Sequence, residues 1–123
     1  MYHQKFCLTQ FHNLVSSTHA LSAAHCRFGR IVSQLALLIG EHDTSRGNET
    51  TYTVLIKIAE FINHPSYNQN SNENDIALIR TQNSMTFTKG VQAACLPFKY
   101  RQEPFIGKSV QALGWFEKHL LPK

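Results

Sequence analysis

Five apolar runs of strand length are spaced along the chain, at residues 31–39, 52–62, 76–79, 91–96 and 109–115. The 52–62 run alternates in part and is rich in β-branched and aromatic side chains, which suit a pleated surface. The 76–79 run, IALI, is short and wholly apolar. Two polar stretches read as loops: 41–51 (EHDTSRGNETT) and 63–74 (NHPSYNQNSNEN), the second marked by a proline and crowded asparagines. Short strands parted by turn signals at intervals of about 8–12 residues point to a sandwich or barrel. No helix longer than two turns is expected. The stretch LVSSTHALSAAHC (14–26) carries helix-favouring alanines. It opens, however, on β-branched and hydroxyl residues, which weigh against a helix.

Composition narrows this picture without giving it a function. The 123 residues amount to one small domain. A chain of that length buries roughly two thirds of its unfolded surface, enough for one core. An apolar content of 42% against 16% charged residues is that of a globular chain. The net charge of +4 comes from scattered lysines and arginines, so neither nucleic acid nor a membrane is expected as a partner. The longest apolar stretch, LALLI at 35–39, is far too short to cross a bilayer, and MYHQKFCLTQ at the start lacks the apolar segment of a secretory signal.

The cysteines number three, Cys7, Cys26 and Cys95. In a secreted protein an odd count implies an external partner or a free thiol; in a cytosolic one it is unremarkable. The triplet Asn48-Glu49-Thr50 is a glycosylation sequon and adds a little to the secreted reading.

The chemistry lies in two short motifs. ALSAAHC (20–26) sets His25 among small residues beside a cysteine, and NDIALI (74–79) places Asp75 fifty residues later. Around them, in order, stand LIGEHD (38–43), FINHPSYN (61–68), ACLPF (94–98) and ALGW (112–115). These six segments resemble the trypsin-like (chymotrypsin-family) serine proteases over residues 6–115, with residues 1–5 and 116–123 as atypical ends. The resemblance implies the first of two six-stranded antiparallel Greek-key barrels, in incomplete form. It implies His25 as general base and then acid, with Asp75 orienting it. A hydroxyl nucleophile is weak at neutral pH and needs such a base. A buried carboxylate on Nδ1 fixes the tautomer and stabilises the imidazolium. It further implies that backbone N–H groups near Ala24 and His25 bond the Asp75 carboxylate, and that Cys7 pairs with Cys26. Cys95 would pair with a pro-region cysteine outside this chain, its alternative being a buried free thiol.

Departures from the family are equally clear. Gly-Asp-Ser-Gly-Gly is missing, and no Gly-x-Ser-x-Gly occurs anywhere. The chain is therefore expected to be a fragment of a secreted endopeptidase, inactive by itself. Its full-length form would meet protein or peptide substrates and inhibitors. The alternative is a non-catalytic protease homologue that acts as a protein-binding module. No cofactor is expected, apart from weak calcium candidates Glu41 and Glu49, which read better as solvated loop carboxylates. The seven histidines show no zinc-ligand spacing. Gly107-Lys108-Ser109 lacks the first glycine of a phosphate loop.

Overall fold

A computed structural model describes residues 13–40, 52–100 and 105–109. Their regular structure is all β apart from short 3₁₀ turns, as the hydrophobic pattern predicts. Five strands form one antiparallel sheet: β1 (Asn13–Leu14), β2 (His19–Ser22), β3 (Ala36–Ile39), β4 (Val54–Asn63) and β5 (Ala77–Thr81). Their spatial order is β1-β2-β5-β4-β3. That is one strand fewer, among the described residues, than the six expected.

β4 is what curls the sheet. Its first half pairs with β3 over Val54–Lys57, and its second half pairs with β5 over Ile58–Asn63. A register shift between Ile58 and Glu60 inserts Ala59 as an extra residue. Such a bulge bends the strand and raises its twist. It also shifts the phase of the inward positions, so Ile58 and Phe61 are both buried although three residues apart. This is why the 52–62 run alternates only in part.

The core lies on the concave face. Ala20 of β2, Ile79 of β5 and Phe61 of β4 stand opposite one another across three strands. All three are buried, and Leu37 and Ile79 are wholly so. Gly40 ends β3 at φ +72°, and a Cβ there would collide with the Tyr52 carbonyl. Several large apolar side chains remain at the surface, among them Phe28, Ile31, Phe98 and Ile106.

Two apolar runs differ from expectation. Residues 31–39 are not one strand, because Val32–Gln34 forms a 3₁₀ turn before β3 begins. That turn packs against β4 beyond the end of the β3 ladder. Residues 91–96 form no strand: Val91 is buried and bridges Thr88, Ala94 N–H donates to the Leu14 carbonyl at 2.7 Å, and residues 92–96 are exposed. Most of the 109–115 run lies outside the described residues.

Candidate active site

The His25 side of the site begins in β2. Its last residues bury Ala20 and Ser22, and the chain then enters a 3₁₀ turn at Ala24–Arg27. Ala24 and Cys26 point into the core and His25 points out. The small Ala23 and Ala24 let the backbone lie close against the neighbouring elements.

The Asp75 side is built by a polar hairpin between β4 and β5. His64 N–H donates to the Ile76 carbonyl at 2.9 Å, closing its base. Tyr67 N–H donates to the His64 carbonyl, and Asn68 N–H to the Glu73 carbonyl, each at 3.0 Å. Asn72 and Asn74 hold left-handed backbone, φ 56° and 55°, which asparagine tolerates better than most residues. The Asn74 side-chain amide donates to the Ser66 carbonyl at 3.0 Å. Asp75 follows at once and is aimed at the His25 turn.

The two meet at two points. His25 Nδ1 lies 2.7 Å from Asp75 Oδ2, and the His25 backbone N–H donates to Oδ1 at 2.9 Å. Burial pushes the Asp75 carboxyl up, but the side-chain and backbone bonds from His25, its nearby charge and the Ala24 N–H together hold it below the usual carboxylate range. An ionised carboxylate only accepts, so the Nδ1 atom carries the proton and donates it. With Nδ1 engaged, base chemistry falls to Nε2. The imidazole is 42% exposed and the carboxylate 23%, so the ring reaches solvent while its partner is partly shielded.

Three features of the site were given no role by the motif reading. Arg27 Nη1 donates to the Phe61 carbonyl of β4 at 2.9 Å. The Tyr67 hydroxyl is buried with no hydrogen-bond partner among the described residues; burial, with Asp75 and Cys26 adding to it, raises its pKa above the usual phenol value. Asn74 sets the backbone that aims Asp75. Left-handed asparagines in a loop were the readable signal for the last; nothing local announces the other two.

Of the remaining sequence candidates, one lies among the described residues. Cys95 is exposed. Cys7, Glu41, Asn48 and Glu49 lie outside the described residues. Among the described residues, no group of three or more His, Cys, Asp or Glu side chains is placed to hold a metal, and no helix is long and apolar enough to cross a membrane. Gly107-Lys108-Ser109 belongs to a turn in which Lys108 N–H donates to the Phe105 carbonyl.

Comparison with known proteins agrees with the geometry. Venom serine protease 34 of Apis mellifera is 40% identical over 106 residues, which cover 83% of this chain and 26% of that protein. A venom serine protease of Polistes dominula is 35% identical over 105 residues, 83% of this chain and 37% of that protein. Granzyme M of Rattus norvegicus is 35% identical over 106 residues, 86% of this chain and 40% of that protein. The chain thus spans less than half the length of each. The family model described as Trypsin matches residues 11–120, and the chain belongs to that family of serine proteases.

Proposed function

We propose that this chain supplies the general base and the orienting carboxylate of a serine endopeptidase. The observation that carries the reading is the double contact between His25 and Asp75. Nε2 takes the proton of a serine hydroxyl as it attacks the scissile carbonyl, and returns it to the leaving amine. Asp75 holds the ring in the required tautomer and stabilises the imidazolium. The serine, the oxyanion hole and the specificity pocket come from sequence beyond these 123 residues, which contain no Gly-x-Ser-x-Gly. The chain alone is inactive. The full-length protein is secreted and acts on protein or peptide substrates. Cys7 pairs with Cys26, and Cys95 takes a partner outside this chain.

The test has two arms. A fluorophosphonate probe should leave the isolated 123-residue chain unlabelled; covalent labelling would overturn its inactivity. In the full-length protein, His25→Ala should lower peptidase kcat by about 10⁶-fold, the size of a lost triad base. Undiminished turnover would remove His25 from the mechanism. A full-length protein inert to the probe, with the His25–Asp75 pair intact, would favour the non-catalytic binding homologue.

A further inference from the structure

The turn that carries His25 has little local support. Its N-cap residue, Ala23, makes no side-chain capping bond, and its first turn holds no acidic residue. Short 3₁₀ pieces have poor hydrogen-bond geometry, so tertiary ties must set their orientation. At about three residues per turn, successive side chains leave a 3₁₀ axis roughly 120° apart. His25, Cys26 and Arg27 are successive, and each is engaged on a different side. His25 meets Asp75. Cys26 is buried in the core. Arg27 reaches the Phe61 carbonyl.

The acceptor is well chosen. Phe61 lies where β4 extends past β3, whose ladder covers only Val54–Lys57. Its side chain is buried and stands opposite Ile79 at the centre of the core. Arg27 therefore ties the turn to a fixed part of the sheet. Arg30 supports the far end of the turn, its Nη1 donating to the Cys26 carbonyl at 3.2 Å.

We infer that Arg27 is a positioning residue for His25: it stops the turn from rolling about its axis and so sets the angle at which Nδ1 meets Asp75. The inference rests on the reading of His25 and Asp75 as base and orienting acid, but its test needs no turnover. NMR on the labelled full chain reads two signals, the His25 Nδ1 proton and the titration of the Asp75 carboxyl. Arg27→Met keeps the aliphatic stem and removes the donors. It should speed exchange of the Nδ1 proton severalfold and move the Asp75 midpoint up toward that of a free carboxylate. Arg27→Lys, which keeps one donor group, should restore both in part. Arg80→Met is the control: it removes a guanidinium bonded to Glu60 at 2.8 Å on the exposed surface, and should move neither signal.

Unchanged signals in Arg27→Met would overturn the inference, whatever its melting temperature. Equal shifts in Arg80→Met would overturn it too. A freely exchanging Arg27 guanidinium in the wild-type chain would do the same, and that measurement needs no variant to fold. Should full-length His25→Ala stay active while Arg27→Met moves both signals, the catalytic reading fails and the positioning role stands. The reverse pattern sinks only the role of Arg27.

Discussion

The two halves of the site are held in opposite ways. The hairpin that presents Asp75 satisfies itself: its bonds from His64 to Ile76, from Asn68 to Glu73 and from Asn74 to Ser66 all lie within one short stretch of chain. The turn that presents His25 depends on distant residues. Its ties run to Asp75, fifty positions away, and to Phe61, thirty-four positions away. The carboxylate is thus placed locally and the imidazole is placed by the fold. Damage to the sheet should reach His25 first, and damage to the hairpin should reach His25 through Asp75.

The hardest blow removes what the two halves share. Ile79 lies between Ala20, on the strand that leads to His25, and Phe61, on the strand that leads to the hairpin. Ile79→Ala should cost about 2–5 kcal/mol, the usual range for a fully buried branched side chain. Chemical denaturation measures it, and both halves should unfold together. Hairpin signals that persist after the His25 turn has melted would mean that the hairpin is independent of the sheet.

Asp75→Asn separates the halves. The amide oxygen can still accept from the His25 N–H, but the NH₂ group, a donor, then faces Nδ1. The ring then loses its reason to keep the proton there. The expected cost is about 1–2 kcal/mol, since the lost bonds are charge-assisted but the pair is partly exposed. The low-field Nδ1 proton should vanish, while amide protection at Tyr67 and Asn68 holds. Loss of protection in the hairpin as well would show that it leans on the His25 turn.

This asymmetry also explains what the sequence made legible. ALSAAHC and NDIALI name the pair because both motifs are contiguous in the chain. The strand content followed from apolar runs and turn residues, although β1 and β2 lie outside the runs that marked it. The bulge at Ala59 was not legible, since it depends on β4 serving two partners whose ladders meet there. The turn at Val32–Gln34 escaped for a related reason: an apolar run reads as a strand whether or not a neighbouring strand extends far enough to pair with it. Nothing in the sequence singled out Arg27, because its partner is a main-chain carbonyl that no side-chain pattern marks. What the sequence hid was therefore non-local in each case.

A comparable cost, confined to the hairpin, should come from Asn74. Asn74→Ala loses the bond to Ser66 and puts a Cβ-bearing residue with no local hydrogen bond at φ 55°. The cost should be about 1–2 kcal/mol. Asn74→Gly keeps the backbone conformation and loses only the bond, so it should cost less, about 0.5–1.5 kcal/mol. Thermal melts of the two variants sharpen the comparison. Equal losses would mean that the side-chain bond, not the left-handed backbone, holds the Asp75 end.

The gentlest probe is acid. The folded Asp75 carboxyl sits below its ordinary value of 3.8, so the unfolded chain takes up its proton at higher pH than the folded one does. Stability from the pair is then full above the ordinary carboxylate range. It declines as pH falls below that range and is gone once the folded carboxyl is itself protonated. Other carboxylates titrate nearby, so the quantity to measure is the difference in unfolding free energy between wild type and Asp75→Asn across the acid range. That difference should be flat near neutrality and shrink on acidification. A difference that stays constant to low pH would mean that the charge on Asp75 contributes nothing to holding the His25 turn.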